Sequence, residues 1–248
     1  PFMTCSARLP VYTLVIAAFI PERPLLGHFL GAQAAAMLGL YALGFLAAVA
    51  TARILKSSVL RSRGASFLLE MPAYRWPTLQ SLGLRLLDRA KVFLRRAGTI
   101  ILAVAIVLWA LAHLPLDNGR IPRIEDSVAG AIGRTVEPLI APLGFNWKIG
   151  IGLIASLAAR EVIVGTLGTI YGIEGEGGSV GLQQAIRNDL TLGGAVALLV
   201  FFAFAMQCMS TVAVVRRETG GWRWPIAQFC YMGGLAYSAA WLANRVIG

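Results

Sequence analysis

Charge is scarce in this sequence. Asp, Glu, Lys and Arg make up 14% of its 248 residues and hydrophobic residues 57%, whereas soluble domains carry about 25% charged residues. That balance excludes an ordinary cytosolic domain, and also a disordered chain, which needs the opposite composition. Cysteine is limited to Cys5, Cys208 and Cys230, an odd and scattered set that builds no disulfide framework. His28 and His113 stand far apart near the ends of apolar runs and read as interfacial residues rather than ligands. There is no C-x-x-C and no H-E-x-x-H. None of the lysines, Lys56, Lys91 and Lys148, follows a glycine, so the P-loop pattern is missing and no nucleotide site of that kind is expected here. The glycines of 172–181 lie beside Glu174 and Glu176, whose charge repels phosphate, and read as a flexible loop. The chain starts at Pro1 without the n-region and h-region of a signal peptide, which points to a truncated chain or one whose upstream part is not included.

What the sequence has in quantity is uncharged length. A hydrocarbon core about 30 Å thick takes roughly 20 apolar residues of helix. Runs free of formal charge cover 24–52, 97–116, 190–215 and 224–244, and these are the four expected spans. Residues 9–21 are shorter and bracketed by Pro10 and Pro21, giving part of a span or a re-entrant segment. Residues 149–173 are long enough to cross but carry Arg160 and Glu161 at their middle. Two readings stand: a bundle-facing helix whose charges neutralise neighbours, or a broken or re-entrant helix with a polar site at the break. Charge at membrane depth is costly and usually functional, which favours the second. Small residues such as Gly39, Gly44, Gly193 and Gly194 read as helix-packing positions. The expected fold is therefore all-α, a polytopic transmembrane bundle with broken or re-entrant helices.

The net charge of +10 is concentrated. Ten Lys and Arg lie between Arg53 and Arg96, against Glu70 and Asp88. Such an excess beside spans marks the cytoplasmic side; no nucleic-acid motif accompanies it, and anionic lipid headgroups account for it. Within it, Leu79, Leu82, Leu86, Ala90 and Phe93 recur at helical steps, predicting an amphipathic interfacial helix over 78–96 that leads into the 97–116 span. Arg216, Arg217 and Arg223 make the last connection basic. It falls on the cytoplasmic side only if 149–173 re-enters, so the positive-inside rule favours re-entry. Three regions follow: membrane helices over 1–60, the basic connection over 61–96 and a second membrane domain over 97–248.

Two clusters of soft and hydroxyl groups sit in apolar surroundings. One is Met3-Thr4-Cys5-Ser6; the other is Met206-Gln207-Cys208-Met209-Ser210. Ligands of this kind suit first-row transition metals, although a buried cysteine is often a small apolar residue and no more, which is the reading for Cys230.

Four stretches carry a family resemblance. Pro1-Phe2-Met3-Thr4-Cys5-Ser6-Ala7-Arg8-Leu9-Pro10-Val11-Tyr12, Glu70-Met71-Pro72-Ala73-Tyr74-Arg75-Trp76-Pro77, Ala159-Arg160-Glu161-Val162-Ile163-Val164-Gly165-Thr166-Leu167, and Gln207-Cys208-Met209-Ser210 through Arg217-Glu218-Thr219-Gly220 to Trp222 resemble, in order, the signatures of ferrous iron transport protein B. The resemblance covers the C-terminal membrane half only, without the N-terminal G domain and the first membrane half. It implies gate-type helices similar to those of nucleoside transporters, and iron(II) uptake across the bacterial cytoplasmic (inner) membrane by a multi-pass permease under GTP control. GTPase activity would belong to the absent G domain, so this chain is not expected to be an enzyme. Iron(II) would be the transported substrate and Cys5 and Cys208 the thiols of its path, with Met209 and Ser210 as weak neighbours and Glu161 neutralising part of the charge. Arg160, Glu70, Pro72 and Gln207 would be structural or gating residues. The family's usual Pro-Cys pair is Gln207-Cys208 here, which leaves the local helix break without its proline. Implied partners are the lipid bilayer, the missing parts of the same transporter, small cytoplasmic accessory iron-transport proteins and further copies in a homo-oligomer. A carrier of nucleosides or another solute on the gate fold, and a non-transporting membrane scaffold, are the alternatives.

Overall fold

The computed structural model describes residue 2 and residues 5–26, 30–58, 78–113, 127–157, 160, 162–172, 178–205 and 209–248. Among the described residues the chain is helical apart from one small hairpin, β1 (Pro24–Leu26) against β2 (Leu30–Gly31). A 3-10 turn, Ser6–Arg8, leads into α1 (Leu9–Phe19). Pro10 fits the first turn of α1, where its missing N–H costs nothing. The helix is only about 17 Å long at 1.5 Å per residue, and it buries Val11, Tyr12, Leu14, Val15, Ile16 and Ala18. It is a core helix packed on its neighbours, shorter than a complete span.

The 24–52 run becomes helical only at Ala32: α2 spans Ala32–Ser58, and residues before it form the hairpin. Gln33 Nε2 donates to Ile20 O at 2.9 Å and ties the start of α2 to the end of α1. The amphipathic stretch and the span after it are one unbroken helix, α3 (Leu79–His113). At 1.5 Å per residue it is about 52 Å long, so it outruns a 30 Å hydrocarbon core.

The second half is built from bent pairs. Ser127 caps α4 (Val128–Ile140) by accepting from Gly130 N at 3.2 Å. A 3-10 turn (Ala141–Leu143) and Gly144, at φ 81°, then redirect the chain. Asn146 caps α5 (Trp147–Ser156), which leaves α4 and its turn at 99°. Next come α6 (Val162–Ile170) and α7 (Gly178–Asp189), then α8 (Leu192–Phe204), capped by Thr191 and bent 111° from α7. α9 (Met209–Thr219) and α10 (Arg223–Ile247) complete the chain. α8 and α10 pack along each other, and α1 packs on α7 and α8. The core runs through Tyr12, Val15, Leu143, Ile149, Ile163, Ile186, Leu198 and Phe202.

Of the two open readings of 149–173 the folded one is found, and one further expected span changes. The segment 149–173 does not run straight. In a continuous helix Lys148 and Tyr171 would stand about 35 Å apart, yet Lys148 Nζ lies 4.7 Å from the centre of the Tyr171 ring. A Cβ on Gly152 would meet Ile163 Cγ1 at 2.9 Å and Leu167 Cδ2 at 3.5 Å, so α6 folds back along α5. The pair is a helical hairpin with its base at 148 and 171 and Arg160 at its tip, the re-entrant form that the basic 216–223 connection favours. The changed expectation concerns 190–215, read as one span. It is broken: α8 ends at Phe204 and α9 starts at Met209. The reason is tertiary. Ala205 is extended at ψ 137°, so its carbonyl leaves the helical ladder and is taken by a side chain from the hairpin. The run 224–244 lies within α10 as one helix.

Among the described residues, Ala32–Ser57 can cross a membrane by length and composition, and up to three segments can if each bent pair counts as one span.

Candidate functional site: the meeting of the helix breaks

The tip of the hairpin and the break after α8 are joined directly. Arg160 Nη2 donates to Ala205 O at 2.6 Å, and Arg160 is buried. A carbonyl at a helix C-terminus carries partial negative charge and lacks an intrahelical donor, so a guanidinium is well matched to it.

The N-terminal segment joins the same place. The Phe2 and Phe204 rings meet edge-on at 6.2 Å, and Phe2, Phe204 and Ala205 share one buried cluster with Met232 and Ala236. Phe2 also lies edge-on to Tyr231 at 6.5 Å. Arg8, 1% exposed, donates from Nη1 to Phe2 O at 3.1 Å, and its own N–H donates to Cys5 O at 3.1 Å, closing the 3-10 turn. Tyr12, fully buried one helical turn after Arg8, has both Arg8 and Arg160 within electrostatic reach. Phe2 with the 3-10 turn Ser6–Arg8, the hairpin tip at Arg160 and the end of α8 at Ala205 thus converge, as ends of broken helices do at substrate sites in transporters.

The candidate residues distribute unevenly over this site. Arg160 is at its centre. Cys5 is exposed at the edge of the 3-10 turn. Met209 and Ser210 open α9. Glu70, Pro72, Glu161, Gln207 and Cys208 lie outside the described residues. Cys230, read as an inert apolar residue, is exposed on α10. Among the described residues no three His, Cys, Asp or Glu side chains gather closely enough to hold a metal ion. Sequence reasoning missed Arg8 and Tyr12. Arg8 could have been found, because it is a lone charge directly ahead of the apolar run 9–21, and charge in such a position is usually functional.

A second polar cluster closes the base of the hairpin. Asp189 Oδ2 accepts from Lys148 Nζ at 2.8 Å, Tyr171 OH at 2.8 Å and Asn146 Nδ2 at 3.3 Å. Both legs of the hairpin are therefore held to the bend between α7 and α8.

Comparison with known proteins agrees with this architecture. Residues 94–222 match the Gate family, described as nucleoside recognition, and residues 37–89 match the ferrous iron transport protein B C terminus. The chain is 43% identical to the Fe(2+) transporter FeoB of Leptospira interrogans, over 99% of this chain and 38% of that protein. It is 34% identical to the Fe(2+) transporter FeoB of Staphylococcus aureus strain COL, over 99% of this chain and 35% of that one. It is 33% identical to a Fe(2+) transport protein A/Fe(2+) transporter FeoB fusion protein of Porphyromonas gingivalis, over 99% and 33%. The chain thus spans less than half the length of these relatives. No solved structure matches it.

Proposed function

We propose a function from this premise: the chain belongs to the Gate family and carries the C-terminal domain of ferrous iron transport protein B. On our reading it is the permease part of a GTP-regulated iron(II) uptake transporter, multi-pass in the bacterial cytoplasmic membrane. The observation that carries this reading is the bond from Arg160 to Ala205 O, because it holds a re-entrant tip against a broken helix where a substrate path needs non-helical main chain. Irregular backbone at membrane depth is tolerated where it is buried in protein or lines a cavity.

Iron(II) has to exchange water for ligands labile enough to let it go. The thiols of Cys5 and Cys208 supply soft ligands, Met209 and Ser210 weaker ones, and Glu161 offsets part of the double positive charge while Arg160 is turned to Ala205. Glu70, Pro72 and Gln207 shape the gate. GTP hydrolysis belongs to the G domain of the complete transporter, so this part is no enzyme. The fusion in the Porphyromonas gingivalis relative supports a small accessory iron-transport protein acting beside it, and we expect the transporter to assemble as a homo-oligomer.

Iron(II) uptake by the full-length transporter carrying Cys208→Ser tests the reading. Uptake should fall at an unchanged protein level; wild-type uptake would remove Cys208 from the path. Glu161→Gln should lower uptake in the same way, whereas a loss of protein level alone would make Glu161 structural. The Gate description, nucleoside recognition, favours one rival, a nucleoside carrier. Competition of iron(II) uptake by manganese(II) and by nucleosides separates the two.

A further inference from the structure

The first half of α3 carries its leucines on one side. Leu79, Leu82, Leu86, Leu87 and Leu94 are between 54% and 87% exposed. At roughly 100° per residue they fall within an arc of about 140°; Leu84 alone of the leucines lies outside it. Arg85 and Arg89 follow one border of the arc, Lys91 and Arg95 lie beyond the other, and Asp88 stands on the opposite side of the helix. All five charged residues are exposed.

The continuity of α3 fixes where this face lies. With a break near Arg96, the basic part could lie flat on the membrane while the apolar part crossed. There is none: Leu79–His113 is one helix, whereas the pairs α4–α5 and α7–α8 turn through 99° and 111° by leaving the helix. Standing upright, the helix would carry its leucines through about 20 Å of water beyond a hydrocarbon core. Tilted by about 30–40°, within the range of spanning helices, its length of about 52 Å fits the 40–45 Å or so of a bilayer with its headgroups. A tilted helix turns one side toward the acyl chains, and long cationic side chains on the borders of that side reach back to the headgroups.

Charge decides what covers the face. Both borders are basic, so two copies of α3 laid face to face would bring like charges together at the flanking positions. A layer of phosphate groups instead meets all four cations with the opposite sign.

We propose that the first half of α3 is an anionic-phospholipid site. The leucine arc enters the acyl boundary of the cytoplasmic leaflet, and Arg85, Arg89, Lys91 and Arg95 bind headgroup phosphates on its two sides. α3 packs on α4 and on α6, one leg of the hairpin, so the bound lipids set the tilt of a helix that supports the hairpin, and iron(II) uptake depends on them. The site rests on the chain being a membrane permease, and its role in uptake rests on the iron(II) reading.

The test uses the full-length transporter in phosphatidylcholine vesicles with and without one third phosphatidylglycerol. The association of spin-labelled phosphatidylglycerol relative to spin-labelled phosphatidylcholine is read by electron spin resonance, and iron(II) uptake is read beside it. The wild type should favour the anionic lipid severalfold, less so at high salt, and should take up iron(II) faster in the mixed vesicles. Combining Arg85→Gln, Arg89→Gln, Lys91→Gln and Arg95→Gln should remove most of the preference and the response of uptake to phosphatidylglycerol. Combining Arg85→Lys, Arg89→Lys and Arg95→Lys, which keeps every charge, should retain both. An unchanged preference in the fourfold Gln variant overturns the site, and a change of its oligomeric state in detergent would then give the face to a second copy. A polarity probe on Leu82→Cys that reports water in the mixed vesicles overturns it too. Uptake indifferent to phosphatidylglycerol in the wild type overturns the role in transport. If the fourfold variant does not accumulate, the pairs Arg85→Gln with Arg89→Gln and Lys91→Gln with Arg95→Gln should each lose part of the preference. The lipid preference is measured without iron, so a transporter that moves no iron(II) would defeat the transport reading and leave the lipid site to be judged by the spin labels.

Discussion

Lys148 and Asp189 meet at 2.8 Å, and this contact closes the base of the hairpin whose tip is held by Arg160. Asp189 lies just before α8 and Ala205 just after it. The hairpin is therefore fastened alongside α8 at both ends, by a carboxylate at one and by a main-chain carbonyl at the other. A helical hairpin held at two points keeps its tip in register with the break it touches.

Asp189→Asn should loosen the base. Lys148 and Asp189 side chains are 25% and 29% exposed, so solvent screens part of the interaction, and the expected loss is about 1–2 kcal/mol. Thermal unfolding of the full-length transporter in detergent should show a midpoint a few degrees lower. The double exchange Lys148→Asp with Asp189→Lys should regain part of the loss, and an Asn variant as stable as the wild type would deny the contact its role.

Tyr171→Phe separates the hydroxyl from the ring. It removes one donor to Asp189 but keeps the aromatic face under Lys148 Nζ at 4.7 Å. The cost should be about 1 kcal/mol, less than that of Asp189→Asn in the same unfolding measurement. A larger loss in the Phe variant would mean that the hydroxyl, and not the lysine, carries the base.

The helical content and the polar interruption at Arg160 were legible in the sequence because each is a local property of composition. The fold-back of 149–173 was legible only as one of two options: the charge of 216–223 favoured it, but nothing in the apolar run distinguishes a hairpin from a span. The break in 190–215 was hidden for a clearer reason. Residues 192–204 are uniformly apolar, Gln207 stands where a proline would have announced a stop, and the donor that holds the Ala205 carbonyl comes from 45 residues away. Periodicity cannot reveal such a partner. Arg8 was overlooked although its position beside an apolar run was visible; what could not be read was its acceptor, a main-chain carbonyl that any residue at position 2 would supply.

Gly133 and Gly165 should respond to alanine in opposite directions. A Cβ at Gly133 would stand 2.9 Å from Trp147 O and 3.0 Å from Ile151 Cγ1, where α4 and α5 press together. The main-chain oxygen cannot rotate away, so Gly133→Ala should cost about 1–3 kcal/mol. At Gly165, inside α6, a Cβ would meet nothing within 4 Å among the described residues, and Ala should stabilise the helix by up to about 1 kcal/mol. The midpoints of thermal unfolding of the two full-length variants give the comparison. A stable Gly133→Ala protein would mean that the 99° bend between α4 and α5 opens easily.

The break after α8 makes a prediction about Gln207. Proline inside a continuous helix costs about 3 kcal/mol or more, through a lost hydrogen bond and a clash with the preceding turn. If residues 190–215 formed one helix, Gln207→Pro would cripple the protein. Here α8 has already ended at Phe204, the Ala205 N–H closes its last turn on Phe201 O at 2.8 Å, and Ala205 itself is extended at ψ 137°, so the α8 ladder does not continue past Ala205. The full-length Gln207→Pro transporter should accumulate at the wild-type level, unfold at the wild-type temperature and keep iron(II) uptake within about twofold, a difference of roughly 0.4 kcal/mol. Collapse of expression or a fall of many degrees in the unfolding midpoint would mean that the segment is helical through Cys208, and the anchoring of Ala205 by Arg160 would lose its purpose.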